Sequence, residues 1–274
     1  MKAYEMPDET ARAYSIQWPS LLAALVVAGV ASLSIHVMML QVLGIPFPED
    51  QAPSWARLLN LAGTTTALIA LFVGARVQLG GFGRAVVISG FILLFIKEGV
   101  RGAIMNGVVT TGWAFALAGL LVPLLLCFGI SLICGIAARW VGSPISLVVA
   151  GIFTGVLAFA WQMVVGIAVS PVMAALSYLA RPDVYQLPYP ISVLVPAYLS
   201  FAEPLLGCAL LVALMWQRIK GGLAARLALF TLLVVLLKGV LIRTMLFYTK
   251  IQMKTIVRWS APIFWIWQPR FQIN

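Results

Sequence analysis

Val108–Ala138 reads VVTTGWAFALAGLLVPLLLCFGISLICGIAA, thirty-one residues without a charged side chain. A hydrocarbon core about 30 Å thick is crossed by about 20 helical residues, so this stretch is long enough to span it. In lipid every backbone N–H and C=O must find its partner within the structure, which leaves helices or a closed barrel. Barrel strands alternate apolar and polar side chains, and this stretch does not. It is a helix. Similar runs lie on either side of it, at Leu21–Leu40, Leu58–Ala75, Ile145–Val169 and Leu227–Ile242. Charged residues make up 9% of the chain and hydrophobic ones 62%. A soluble domain carries roughly a quarter charged residues, so a water-facing surface cannot be built from this composition. The expected fold class is an all-α integral membrane protein with about seven transmembrane helices.

The seven spans are placed at Pro19–Gly44, Ala56–Ala75, Ala85–Met105, Val108–Ala138, Ile145–Val169, Ala197–Trp216 and Leu227–Tyr248. Residues 1–18 are a polar surface segment. The first apolar run is too long for a signal-peptide core and is read as a retained helix. Residues 249–274 form a basic, aromatic tail with Trp259, Phe264, Trp265, Trp267 and Phe271. Such rings favour the headgroup region, so the tail is expected along an interface or against a partner.

The formal net charge is +10. The basic residues are scattered singly between apolar runs, unlike the clustered stripe that binds nucleic acid, so no nucleic-acid partner is expected. In short loops, Lys and Arg mark the cytoplasmic side. Arg76, Arg84, Arg139, Arg218, Lys220 and Arg226 fall on one side of the seven-span plan, together with Lys2 and Arg12. This predicts a cytoplasmic N-terminus in the cell's inner (plasma) membrane. The tail, with Lys250, Lys254, Arg258 and Arg270 on the other side, departs from the rule.

Scarce charged residues recur in register. Arg76 falls on Arg218, Arg84 on Arg226 and Arg101 on Arg243 at an offset of 142, while Gly80-Gly81 falls on Gly221-Gly222 and Lys97 on Lys238 at 141. Upstream, Leu25-Val26-Val27-Ala28-Gly29 returns as Leu147-Val148-Val149-Ala150-Gly151, at an offset of 122. The shorter offset fits an insertion of the Pro-rich stretch Ser170–Pro196 in the second half. The apolar match alone is within the reach of chance; the recurring charges are not. The division that follows is a first three-helix repeat at 19–105, a linker helix and connection at 106–144, and a second repeat at 145–248. Four spans separate equivalent helices, so the repeats run parallel. Parallel repeats occur in transporters with the solute site between the halves. The three-one-three plan resembles that of SWEET-type sugar transporters and of microbial rhodopsins, in plan alone: the chain has no Pro-Gln loop signature, and its predicted orientation is opposite to the usual SWEET arrangement.

Charge within a span is expensive and points to function. Lys97, Glu98 and Arg101 lie in the third span, Glu203 in the sixth, and Lys238 and Arg243 in the seventh. At about 1.5 Å per residue from the basic loops, Lys238 lies about 18 Å deep, Lys97 about 20 Å, Glu203 about 22 Å and Arg101 about 25 Å. His36 and Asn60 fall at similar depths. Four basic groups facing two acids would favour an anionic small molecule. The competing reading is structural: Arg101 and Arg243 snorkel to the interface, and Glu98 pairs with Arg101 three residues on along one helix face.

Catalytic and metal chemistry find no footing. Cys127, Cys134 and Cys208 lie in spans without the ligand spacing of a metal site. One histidine rules out a bis-histidine haem held by this chain alone, and no HExxH, Walker loop or nucleophile elbow is present. No cofactor, metal or catalytic residue is expected. The functional expectation is a transporter or permease with a positively biased polar cavity in the outer half of the membrane. The alternative is a non-catalytic membrane subunit or assembly factor, held to other subunits through its helix faces and Trp259–Phe271.

Overall fold

A computed structural model describes residues 18–38, 53–185, 190–239 and 241, and everything below concerns these. They are mostly helical, with no strand among them. In chain order the helices are α1 (Trp18–Val37), α2 (Ser54–Gly74), α3 (Arg76–Leu79), α4 (Phe82–Ile96), α5 (Arg101–Thr110), α6 (Trp113–Gly119), α7 (Leu121–Ala137), α8 (Pro144–Ala175), α9 (Ile191–Ser200), α10 (Glu203–Met215) and α11 (Leu223–Lys238). Four helical stretches are long and apolar enough to cross a membrane: Ser54–Gly74, Trp113–Trp140, Pro144–Ala175 and Ile191–Met215. The tail, residues 1–17, Arg243 and the end of the seventh span lie outside the described residues, so the count of seven rests on the sequence.

The third span differs from the continuous helix expected at 85–105. It stops at Ile96 and restarts at Arg101. The fourth begins later than Val108, because α5 runs on to Thr110 and turns at Thr111, which adopts a left-handed φ of 53°. The sixth divides at Phe201-Ala202 into α9 and α10. With 15 residues, α4 is about 22 Å long at 1.5 Å per residue, short of a full crossing. An apolar run specifies burial; it does not specify that the helix within it is unbroken.

The fifth span, α8, starts one residue before the expected Ile145 and runs six residues past the expected Val169, with Pro171 inside it. The Ser143 hydroxyl accepts from the Ser146 backbone N–H, and the Ser146 hydroxyl accepts from the Ser143 N–H, with Pro144 at the first helical position. This reciprocal cap satisfies donors that a helix start leaves open. α8 then packs along α2, the most extensive helix pairing in the bundle. Gly151 and Gly155 set that approach. A Cβ at Gly155 would lie 2.8 Å from the Ala62 Cα of α2. The Thr65 hydroxyl donates across the contact to the Gly151 carbonyl at 2.7 Å. α4 packs on α7 and α10, α7 on α8, α11 on α2, and α1 on α10. The core between them holds Leu68, Ile69, Leu71, Ile92, Leu93, Ile130, Leu211 and Leu237, all buried. By contrast Ile145, Val149, Phe153 and Ile167 of α8 face outward, as residues of a lipid-facing helix do.

Because the atom in the way at Gly155 is backbone, Gly155→Val must push the two helices apart. Overpacking of this kind costs about 1–3 kcal/mol. Thermal unfolding of the purified protein in detergent should show a clear fall in midpoint. Gly166→Val, further along α8 with open space around it, should leave the midpoint unchanged. Equal midpoints for the two variants would show that the α2–α8 contact is not set by Gly155.

Candidate functional site

Lys97-Glu98-Gly99-Val100 is the turn between α4 and α5. The Gly99 N–H donates to the Leu94 carbonyl and the Glu98 N–H to the Phe95 carbonyl, the paired bonds of a Schellman termination. That motif requires a left-handed residue at its centre, normally glycine. Here the residue is Glu98, with φ 57°. A left-handed non-glycine residue costs about 1–2 kcal/mol, and strain of this kind gathers at functional sites.

The carboxylate of Glu98 holds two cations. The Arg101 Nη1 donates to its Oε2 at 2.7 Å, and the Lys238 ammonium at the end of α11 pairs with its Oε1. The Arg101 guanidinium also lies over the Phe201 ring, 3.5 Å from its centroid, where cation and ring quadrupole attract. Arg101, half-buried, is thus held between the Glu98 carboxylate and the Phe201 ring. Lys97 reaches the other way: its Nζ donates to the Lys238 carbonyl at 3.3 Å, the negative end of α11. The two lysines cross, each meeting the turn that ends the other's helix.

Glu203, only 5% exposed, supplies the cap that α5 lacks. Its carboxylate accepts from the Val100 N–H at 2.9 Å and the Arg101 N–H at 2.7 Å, although it stands on another helix about a hundred residues away. The sequence reading missed Thr64, whose hydroxyl donates to the Leu236 carbonyl at 2.9 Å and ties α2 to the last turn of α11. Its signal was the run Thr64-Thr65-Thr66 inside an apolar helix. Asn60, one turn earlier on α2, has its carbonyl beside Gly239.

Of the six predicted site residues, Lys97, Glu98, Arg101, Glu203 and Lys238 come together. Arg243 lies outside the described residues, as does the side chain of His36. Three cations and two carboxylates meet where α4 and α11 end and α5 and α10 begin. No buried side-chain nitrogen or oxygen among the described residues lacks a partner. Cys127, Cys134 and Cys208 are unpaired thiols, and no group of three potential metal ligands occurs among the described residues. Compared with known proteins, the chain matches no family model, no curated protein and no solved structure.

Proposed function

We propose that this chain is a multi-pass membrane permease that passes a small anion through the junction of helix ends. One observation carries the reading: four helix ends converge within the bundle on three cations and two carboxylates. Backbone that leaves the helix at membrane depth is tolerated where it is buried in protein or lines a cavity. Transporters build solute sites from interrupted helices whose ends face the solute. The junction has an excess of one positive charge, and Glu98 supplies the anion that Arg101 and Lys238 hold in the resting arrangement. An incoming carboxylate, sulfate or phosphate competes with Glu98 for the same two cations.

Two parallel repeats at 19–105 and 145–248, joined by 106–144, are part of this reading, and two pairs of helix contacts support them. The contact of α8 with α2 corresponds to that of α1 with α10, and α10 with α4 to α2 with α11. Gly29 faces Leu205 of α10, as Gly151 faces Thr66 of α2. Gly80 and Gly221 both have positive φ, 71° and 116°, and each precedes the glycine that caps α4 or α11. Glu98 at φ 57° and Gly239 at φ 70° likewise close those two helices. On this plan the loops at 76–84, 139–144 and 217–226 share one side, supported by Arg76 and Arg139 lining one cavity and by Met215 lying against Gly74. Their basic charge makes that side cytoplasmic by the positive-inside rule, in a plasma or inner membrane.

The test is uptake of radiolabelled phosphate, sulfate, acetate and succinate by proteoliposomes. The parent should carry at least one of them above protein-free vesicles. Lys97→Met and Lys238→Met, checked for folding by gel filtration, should lower that uptake by roughly tenfold or more, as loss of a charged hydrogen bond implies. No uptake of any of the four, together with a stoichiometric protein partner on purification from native membranes, would replace this reading with that of a non-catalytic subunit.

A further inference from the structure

A cavity of about 540 Å³ opens between the ends of α2, α4 and α7, away from the charged junction. Its wall is apolar, formed in part by Phe72, Leu79 and Ala85, and its rim carries Arg76 and Arg139. Both arginines are exposed, and neither is in an ion pair among the described residues. The Arg139 guanidinium lies over the Phe82 ring, 4.5 Å from its centroid, which engages its face and leaves its in-plane N–H donors available. α4 begins at this cavity with no side-chain cap, so its first-turn amides have no partner within the helix. The Phe72 and Phe82 rings pack closely on Gly135, where a Cβ would come within 3.1 Å of both.

We propose that this cavity binds an anionic phospholipid, with the headgroup phosphate between Arg76 and Arg139 and an acyl chain along the apolar wall past Val73. Two guanidiniums in one rim match a phosphate diester, which they can grip through paired N–H donors. A soluble anion would use the rim and leave the apolar wall bare, whereas a lipid covers both. Basic pockets between membrane helices recognise anionic headgroups in this way. The site is independent of the permeation site, so either can fail alone.

The experiment uses the full chain in detergent, with phosphatidylglycerol or phosphatidylcholine of identical acyl chains. Retained lipid is counted by native mass spectrometry, and the thermal midpoint is followed in parallel. The parent should retain phosphatidylglycerol in preference to phosphatidylcholine and be stabilised by it. That preference should fall roughly fivefold for each arginine removed, in Arg139→Gln and in Arg76→Gln/Arg139→Gln. Arg57→Gln, which removes a cation lying over Phe159 at the opposite end of α2, should keep the parent's preference. If the double variant does not fold, Arg139→Gln alone decides. Equal retention of the two lipids by the parent, or an unchanged preference in a folded Arg139→Gln, overturns the proposal. So does a midpoint shift with inorganic phosphate equal to that with phosphatidylglycerol, which would make this a site for the free anion.

Discussion

Glu203→Ala should be among the most damaging single substitutions in this bundle. The carboxylate is buried and takes both the Val100 and Arg101 N–H groups, while α5 has no side-chain cap of its own. Alanine orphans both part-buried donors, at up to about 1–3 kcal/mol for each. The expected result is a purified protein whose unfolding midpoint falls steeply, or one that does not accumulate at all. Glu203→Gln should fall between alanine and the parent. Its carbonyl oxygen still accepts, but its amide turns two further donors toward donors. Hydrogen exchange at Val100 and Arg101 should accelerate in the same order. Matching stability and exchange in parent, Gln and Ala proteins would mean that Glu203 does not hold the start of α5.

The second large effect belongs to Glu98. Glu98→Ala removes the one carboxylate shared by Arg101 and Lys238 and leaves three cations near Glu203 alone. Breaking a buried pair by deleting one partner costs about 3–5 kcal/mol; here the junction is partly exposed, which places the loss at the lower end. Alanine does not remove the left-handed strain at this position. Glu98→Gly does, so it should recover about 1 kcal/mol relative to alanine. The permease reading adds a readout that simple pairing does not: acetate or formate should restore part of the lost midpoint in both variants by taking the place of the missing carboxylate. Equal concentrations of a bulky organic sulfonate should not. If no small anion restores stability, the junction is closed to solute, and its charges only hold the helices together.

Much of the fold was legible because its signals are local. Runs such as Ile145–Val169 declare membrane-length helices on length and composition alone. Ser143, Pro144 and Ser146 cap the start of α8 within four residues, a local signal that the apolar run alone did not use. Counting 1.5 Å per residue from the basic loops put Lys97, Glu203 and Lys238 at comparable depth, and they do meet. What the sequence could not state is how the charges are shared. Glu98 is three residues from Arg101, a pairing visible in the chain, yet its other partner, Lys238, is 140 residues away. Nor was the break after Ile96 visible. Gly99 is the residue there that suggests a turn, but the left-handed position falls on Glu98. A local preference would never choose glutamate for that place. The tertiary structure does, because Lys238 and Arg101 hold its carboxylate while Glu203, from another helix, secures the amides beyond the turn. Helix identity follows from neighbours in sequence; where a helix stops inside an apolar run is decided by whichever distant polar group arrives to satisfy its open end.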